Sequence, residues 1–342
     1  MPKVTLPALP VSALFGIAKP SGPTSMAVVD SIKQLVTRSR LFLSADKIEA
    51  ASKTQGKRVR GKRAQAVKMG QGGTLDPLAD GVLVIGIGQA TKRLDQFLGG
   101  VKEYRTTALL GCETDTYDSE GKRVRVAPWH HVTKEDVEKA LQQFRGDISQ
   151  TPPIFSALKM DGMALYDYAR KGIPLPRPIE KRQVTIHSLE LVEWKGSSHE
   201  YRWPEKQFTE EEKKAMEKAL EGVEENPTIK DEPDSTVPDS DAQKSPTAFV
   251  LSMKVSGGTY VRSIVHDLGH VLGSAAHVVT LTRSRQGRFS LEATDTEDKA
   301  CVPWEVFERA SQDEGETDED GWKEWEREVM NVFEIVDGKK TS

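Results

Sequence analysis

The sequence predicts an α+β fold in which helices flank a mixed or antiparallel sheet. Short apolar runs typical of strands are interspersed with amphipathic segments typical of helices. They do not follow the strict order that a parallel βαβ sheet requires. The two clearest signals are the apolar run 82–87 and the amphipathic segment 259–272.

The N-terminal half contains the first predicted elements. Residues 25–38 predict a helix, because Ser25 is a residue type that caps helices and apolar side chains recur on one face. Residues 82–87 form the continuous apolar run of a strand covered on both faces. A short helix over 90–98 and a strand over 103–112 are expected to follow.

The C-terminal half continues the same mixture. Thr133 with Asp136 three residues later matches a capping box, which predicts that a helix begins there. Residues 183–194 and 247–256 have strand-like patterns. Residues 259–272 have apolar side chains at helical spacing, so an amphipathic helix is expected.

Charge is unevenly distributed along the 342 residues. The formal net charge is only −4, but residues 1–200 carry +9. Residues 201–250 and 301–342 carry −6 and −8. A basic body with acidic appendages is suited to a polyanionic partner such as nucleic acid.

Two insertions interrupt the predicted elements. Residues 40–69 contain the basic run 53–68, whose seven Lys or Arg and no acid fit RNA contact, a nuclear-import signal or a solvated segment. Residues 197–246 are acidic and combine a surface-helix pattern with a stretch too poor in apolar residues to pack. We expect one domain over 1–310 and an acidic, partly helical tail over 311–342.

Several classes of protein and site are disfavoured. Cys112 and Cys301 have no CxxC partner, so the sequence indicates neither a disulfide framework nor a thiolate metal site. No apolar stretch approaches the ~18 residues needed to span a bilayer, and the N-terminus does not match a secretory signal. His266 and His270 have the spacing of a helical metal pair, but no third ligand accompanies them in the sequence, so no metal is expected.

The most informative segment is GGTLDPLADGVLVIGIGQAT, residues 72–91. It places Asp76 in a glycine-flanked turn directly before the apolar run, and Pro77 biases this acid toward an extended or turn conformation. An acid on a stiff turn beside a buried strand is a candidate catalytic group, although turn-forming aspartates are common.

This segment is similar to the catalytic motif of the TruB family of tRNA pseudouridine synthases. Four further blocks resemble the same family in the same order: FGIAKPSGPTS at 15–25, KEYRTTALLGCETDTYDSEG at 102–121, QTPPIFSALKMDGMALYDYARKGI at 150–173 and SGGTYVRSIVHDLGHVLGSAAHVVTLTRSRQGRF at 256–289. The insertions and acidic stretches resemble eukaryotic, particularly fungal, members. Nothing after residue 300 resembles the RNA-binding PUA domain of bacterial and archaeal relatives, so none is expected.

The resemblance implies the pseudouridine synthase fold, a central bent sheet with an active-site cleft across it. It implies an isomerase that flips uridine 55 out of the T loop of tRNA and converts it to pseudouridine. Nothing is oxidised and no group is carried, so no cofactor is expected. The implied partners are the T arm of tRNA and T-arm-like mRNA hairpins, not a membrane. Resemblance to eukaryotic members implies the nucleus, the mitochondrion or both, and a monomer is expected.

The resemblance also assigns residues within the catalytic domain. Asp76 matches the catalytic aspartate, and Arg262 matches an arginine that pairs with it and preserves the anion. The remaining assignments are Tyr104 stacking on the uracil, Tyr260 near its C5, Leu281 lining its pocket, and Lys19 supporting the site or a phosphate. Whether the aspartate attacks the sugar or assists elimination stays open.

One position departs from the family pattern. Gln71 replaces a histidine implicated in opening the T loop and holding the flipped base. Glutamine can hydrogen-bond there but cannot become cationic near neutrality. An alternative function is therefore a tRNA-binding or folding chaperone with little catalysis. Retention of the aspartate, both tyrosines and the arginine argues against it.

Overall fold

The computed structural model describes residues 8–54, 67–220, 229, 245–313 and 315–336. The chain divides into two compact units. Unit 1 comprises Met1–Lys102 with Arg283–Ser342, and unit 2 comprises Glu103–Thr282. The basic run 53–68 lies largely outside the described residues.

Helices and strands follow one another in mixed order through the described residues. The helices are α1 (Ser25–Val36), α2 (Ala45–Thr54), α3 (Asp95–Gly99), α4 (Lys134–Ala140), α5 (Leu165–Lys171), α6 (Glu210–Leu220), α7 (Val261–Val271), α8 (Trp304–Gln312) and α9 (Glu324–Val332). The strands are β1 (Ala13–Lys19), β2 (Met69–Gln71), β3 (Asp80–Ile87), β4 (Lys102–Leu110), β5 (Cys112–Thr114), β6 (Arg123–Val126), β7 (Gly146–Gln150), β8 (Lys159–Met160), β9 (Met163–Ala164), β10 (Arg182–Gly196), β11 (Ala248–Val255), β12 (Ala276–Gln286), β13 (Phe289–Ser290), β14 (Lys299–Pro303) and β15 (Glu334–Ile335). Short 3₁₀ turns cover Gly88–Arg93 and Leu141–Phe144.

Unit 1 is built on mixed strand pairing around β1. Strand β3 pairs antiparallel with β1 along its whole length, and β14 pairs parallel with it. Every residue of β3 after Asp80 is buried, which confirms the predicted two-sided strand. Helices α8 and α9 contribute apolar cover, and the rings of Phe15 and Phe307 stack with centroids 6.4 Å apart.

The predicted first helix is confirmed as α1, but its cap differs from the expectation. Thr24 is the N-cap, because its Oγ1 accepts a hydrogen bond from the Ala27 N–H at 3.1 Å. Ser25 is buried instead, and its Oγ both donates to the Leu75 carbonyl and accepts from the Leu75 N–H, each at 2.8 Å. A residue predicted to begin a helix therefore holds the residue before Asp76.

Unit 2 contains β11, β10 and β7, together with β12 up to Thr282 and β4 from Glu103, and in the order β12, β4, β11, β10, β7 these strands are successive neighbours. The β10–β11 and β10–β7 pairs are antiparallel. These strands confirm the predicted strands over 103–112, 183–194 and 247–256, and α7 confirms the predicted helix over 259–272. The capping box at Thr133 and Asp136 is confirmed at the start of α4.

The described part of the acidic insertion includes a helix with a buried side. Met216 of α6 joins an apolar cluster with Leu165 and Tyr168 of α5. The Leu175 N–H donates to the Ala219 carbonyl at 3.2 Å. The α6 helix is therefore packed against α5 within unit 2, although its sequence has the pattern of a surface helix. None of the helices in the described ranges has the length and apolar character that spanning a bilayer requires.

Candidate active site

The loop that carries Asp76 connects β2 to β3 in unit 1. Gly73 and Gly81 have φ angles of +134° and +104°, a region that favours glycine. A Cβ built on Gly81 would lie 2.2 Å from the Arg283 carbonyl oxygen, closer than any side chain permits. The glycines around Asp76 are therefore needed for both a backbone conformation and a close approach.

Arg283 holds the N-terminal side of this loop. Its side chain is fully buried, and its Nε donates to the Val82 carbonyl at 2.7 Å. Its Nη2 and Nη1 reach the carbonyls of Gly73 at 3.1 Å and Thr74 at 3.4 Å. Sequence reasoning missed Arg283, because the only signal was its place in the last family-like block.

Lys19 holds the C-terminal side of the loop. It is 1 % exposed, and its Nζ donates to the carbonyls of Ala79 at 2.6 Å, Pro20 at 2.8 Å and Pro77 at 3.4 Å. Burial lowers the pKa of Lys19 to about 8, although the nearby charges of Asp80 and Asp76 oppose this decrease. Because the Lys19 ammonium already donates to three carbonyls, these contacts favour a role in supporting the loop over one in binding a phosphate.

Further bonds restrain the remaining peptide groups of the loop. Gln286 Nε2 donates to the Gly72 carbonyl at 2.6 Å, and Ser21 Oγ donates to the Leu78 carbonyl at 2.6 Å. The Gly22 N–H donates to the Pro77 carbonyl at 2.8 Å. Together with Ser25, Lys19 and Arg283, these bonds fix the backbone on both sides of Asp76, which is itself only partly buried.

Gln71 ends β2 close to the loop. Its Nε2 donates to Thr74 Oγ1 at 3.2 Å. Its Oε1 is buried and has no hydrogen-bond partner among the described residues. A buried acceptor left without a partner costs about 1–3 kcal/mol, and contact of Gln71 with the substrate stays a prediction.

In unit 2, Arg262 lies in the first turn of α7 and is 4 % exposed. Its guanidinium donates to the carbonyls of Thr116 and Phe155, and its Nε lies 3.8 Å from Asp118 Oδ2. A buried charge requires such partners. Asp76 belongs to unit 1, so the pairing of Arg262 with Asp76 stays a prediction.

Tyr260 immediately precedes α7 and is hydrogen-bonded to the last residue of β7. Its N–H donates to Gln150 Oε1 at 2.8 Å, and its carbonyl accepts from Gln150 Nε2 at 2.9 Å. Ser263 Oγ donates to the Thr151 carbonyl at 3.0 Å. These bonds join the GTYVR motif to residues 150–155, another of the family-like blocks.

Tyr104 and Leu281 are buried on β4 and β12 of unit 2, with 8 % and 6 % exposure. The two strands are joined near these residues, where Thr106 Oγ1 donates to the Thr280 carbonyl at 2.8 Å. Both side chains are positioned by regular strand pairing. Stacking of Tyr104 on uracil and lining of its pocket by Leu281 stay predictions.

The structure corrects the expectation for the histidine pair. Nε2 of His266 and Nε2 of His270 lie 2.8 and 3.1 Å from the two carboxylate oxygens of Glu113. A third potential ligand therefore accompanies the pair, contrary to the sequence analysis. Sequence spacing could not reveal it, because Glu113 and His266 are 153 residues apart.

Comparison with known proteins assigns the family. Residues 60–209 match the model described as TruB family pseudouridylate synthase, N-terminal domain. The tRNA pseudouridine synthase 4 of Schizosaccharomyces pombe is 37 % identical over 96 % of this chain and 88 % of its own length. The chain belongs to the TruB family of pseudouridine synthases.

Other relatives of this TruB-family chain agree. The tRNA pseudouridine synthase 4 of Saccharomyces cerevisiae is 35 % identical over 90 % of this chain and 86 % of its own length. The human pseudouridylate synthase TRUB1 is 33 % identical over 83 % of this chain and 63 % of its own length. The predicted family and its reaction class, isomerisation, are thereby confirmed.

The fold of this TruB-family chain also has a solved counterpart. It resembles a chain in the crystal structure of a Cbf5-Nop10-Gar1 complex with a TM-score of 0.50 and 20 % identity. The alignment covers 94 % of this chain and 60 % of that chain. At this identity the likeness concerns the fold alone, and it confirms the predicted α+β pseudouridine synthase fold.

Proposed function

We propose that this chain converts uridine 55 in the T loop of tRNA to pseudouridine, with Asp76 as the catalytic residue. The names of its fungal relatives, tRNA pseudouridine synthase 4, support tRNA as the substrate. The observation that carries the assignment is the Asp76 loop, whose backbone is bonded on both sides by Lys19, Ser25 and Arg283.

The proposed reaction breaks the C1′–N1 bond, turns the uracil and joins C1′ to C5. N1 gains a proton and C5 loses one, so atoms and electrons balance within the nucleotide. Asp76 either forms a bond to C1′ or assists elimination, and Arg262 stabilises its anionic form. Tyr260 is proposed to lie near C5, where a base accepts the proton.

A rigid loop serves this chemistry because the carboxylate must meet a single ribose carbon. Held in place before substrate arrives, it needs no reorganisation during the reaction. The uridine must leave its stack to reach the carboxylate, at a cost of a few kcal/mol. Stacking on Tyr104, packing against Leu281 and backbone contacts from the basic residues of the chain would offset this cost.

Gln71 is proposed to contact the flipped nucleotide. Its buried Oε1 has no partner in the described part of the chain and would accept a hydrogen bond from the base or the loop around it. In this proposal Gln71 holds the flipped base, which is one of the two roles implied for the family histidine. Unlike the histidine, it does so without becoming cationic.

Asp76→Asn tests the assignment directly. The variant should bind T-arm RNA with a dissociation constant close to that of the original chain but release no tritium from [5-³H]uridine. The matched control is Asp95→Asn, an exposed carboxylate of unit 1, which should keep full turnover. Turnover by the Asp76 variant would refute the proposed catalytic residue.

The position of Gln71 keeps one rival function in consideration, a tRNA-binding or folding chaperone with little catalysis. A single-turnover assay on T-arm RNA separates the two functions, because tight binding without product would favour the chaperone. Gln71→His, which restores the family residue, should then recover product formation.

Substrate range and location are further parts of the proposal. T-arm-like hairpins in mRNA are proposed as additional substrates, and a transcriptome-wide pseudouridine map comparing cells with and without the Asp76→Asn variant would identify them. The chain is proposed to act as a monomer in the nucleus or the mitochondrion. Sedimentation and fluorescent tagging test these two statements.

A further inference from the structure

Three metal-ligating side chains meet between α7 and β5 of unit 2. His266 and His270 are one helical turn apart on α7, and Glu113 lies on β5. Glu113 Oε1 is 2.8 Å from His266 Nε2, and Glu113 Oε2 is 3.1 Å from His270 Nε2. One ligand atom from each residue lies within 4.8 Å of the other two. We propose that Glu113, His266 and His270 bind a divalent transition-metal ion of the Zn²⁺ class.

The orientation of His266 supports this site independently. Its Nδ1 lies 2.9 Å from Asp267 Oδ1, on the side of the ring opposite Nε2. The ring of Tyr117 stacks on the imidazole with centroids 3.8 Å apart and planes at 20°. In metal-bound histidines the second ring N–H characteristically donates a hydrogen bond to an acceptor such as a carboxylate, which fixes the tautomer and the ring plane.

The donor set selects the kind of ion. Two imidazole nitrogens with one carboxylate oxygen suit Zn²⁺ and its neighbours Co²⁺ and Ni²⁺, whereas Mg²⁺ and Ca²⁺ prefer all-oxygen sites. Three protein ligands leave a fourth position of a tetrahedral ion for water. The side chains of Glu113 and His266 are 12 % and 14 % exposed, but that of His270 is 49 % exposed and leaves a path for the ion.

Arg125 is the neighbouring cation that the ion must accommodate. Its Nε lies 3.0 Å from Glu113 Oε2, and its Nη2 donates to the Ser274 carbonyl at 2.8 Å. An ion bound through Oε1 leaves both of these bonds in place, and the first of them orients the carboxylate. Ligation replaces the contact between Arg125 Nη2 and His270 Nε2 at 3.4 Å. It also replaces the two contacts of Glu113 with the histidine Nε2 atoms, because a ring nitrogen must be free of its proton to bind the ion.

Such an ion would join α7 to β5 by coordinate bonds. The first turn of α7 carries Arg262, and the residues directly after β5 include Thr116 and Asp118, which contact that arginine. Metal binding would therefore restrain both sides of the Arg262 site within unit 2. Because the three ligands meet only in the folded chain, the ion should also raise the thermal unfolding temperature.

Metal binding to the full chain tests the proposal. After treatment with a chelator, the protein should bind one Zn²⁺, and Co²⁺ should give the visible ligand-field bands of a four-coordinate ion with nitrogen and oxygen ligands. Asp267→Asn, which removes a partner of His266 that does not touch the ion, should weaken Zn²⁺ binding by about 10–100-fold. Glu113→Gln and His270→Gln remove direct ligands, so each should weaken binding by more than about 100-fold. His187→Gln, an exposed histidine on β10, is the control and should bind as tightly as the original chain.

Two results would overturn the site. One is no Zn²⁺ bound by the original chain. The other is unchanged stoichiometry and affinity in His270→Gln, which would place the ion on other histidines. If Glu113→Gln fails to fold, His270→Gln decides the question alone, because its half-exposed side chain contributes little packing. Circular dichroism of each variant verifies that it is folded.

Discussion

The amine of Lys19 is buried beside the Asp76 loop, almost inaccessible to solvent. A charged amine has three N–H donors for the three carbonyls that it reaches, whereas the neutral amine has two. Because burial lowers its pKa to about 8, the loop should lose one of these bonds as the pH rises through that value. Turnover should therefore decline above about pH 8.

Lys19→Arg tests this link between charge and turnover. Arginine stays charged throughout this range, so the alkaline decline should move to higher pH even if the overall rate falls. Lys102→Arg is the matched control, since burial also lowers the pKa of Lys102 to about 8 but its partners are the carbonyls of Phe97, Leu98 and Gly100. An identical alkaline limb in Lys19→Arg and the original chain would contradict the role of Lys19.

Stability and turnover should respond to pH in opposite directions at this residue. The folded-state pKa of Lys19 is lower than the unfolded-state value of 10.5, so the folded state disfavours the charged form. This cost is full below about pH 8 and diminishes as the pH rises toward 10.5. A loss of turnover above pH 8 therefore cannot be assigned to unfolding caused by Lys19. Denaturant titrations below and above about pH 8 would verify this by measuring the free energy of unfolding on each side of the Lys19 pKa.

Gly81→Ala should damage the Asp76 loop more than the rest of the protein. The new Cβ would meet the Arg283 carbonyl at 2.2 Å, and the residue would keep a φ of +104°. Strain of this kind costs about 1–3 kcal/mol, and a displacement of about 1 Å at a catalytic group costs roughly 100-fold in rate. Gly99→Ala, where a Cβ meets nothing within 4 Å, should leave kcat unchanged. Equal kcat in the two variants would argue against a strained, fixed loop.

The residues proposed to bear the chemistry could be named from the sequence, as could Lys19, but the other residues that hold the loop could not. Asp76 stands out locally because glycines and proline surround it. Ser25 and Gln286 are separated from their loop partners by 50 and 214 residues. The sequence around Asp76 therefore gives no indication of these contacts. The same limit applies to Glu113, whose approach to His266 depends on how α7 packs on β5.

At the scale of elements, periodicity predicted the existence of α1, β3, β10, β11 and α7 because each buries a regular face. The predicted N-cap of α1 was wrong. Thr24 and Ser25 are both capping residue types, and Ser25 is excluded as the cap because its hydroxyl bonds to Leu75. The α6 helix shows the other limit: a highly charged sequence still supplies Met216 and Ala219 to a buried face.

The α6 helix should restrain α5 and the residues that follow it. Met216→Ala should remove about 2–5 kcal/mol of local stability, as truncation of a buried methionine does. Hydrogen exchange at the Leu175 amide, which bonds to the Ala219 carbonyl, should accelerate correspondingly. Lys214→Ala, an exposed change on the same helix, should leave that amide protected. Equal exchange in both variants would show that α6 does not restrain the segment.

For the whole molecule, the uneven charge of the sequence fits the proposed tRNA substrate, whereas no pattern in the sequence indicates the division into two units. Unit 1 joins the first 102 residues to those after 282, and unit 2 is formed by the residues between them. Sequence blocks in order along the chain cannot reveal this arrangement, because strand pairing such as that of β1 with β14 is decided by tertiary contacts.

The bonds of Arg283 and Gln286 to the Asp76 loop impose an order on biosynthesis. The ribosome adds Asp76 more than two hundred residues before it adds Arg283. The Asp76 turn of the nascent chain therefore lacks its hydrogen bonds to Arg283 and Gln286 during that time. Closing so long a segment is slow, because its entropy must be lost before any contact compensates. In refolding experiments, recovery of turnover should lag behind recovery of helical circular dichroism, and simultaneous recovery would indicate that the turn is shaped before its distant partners arrive.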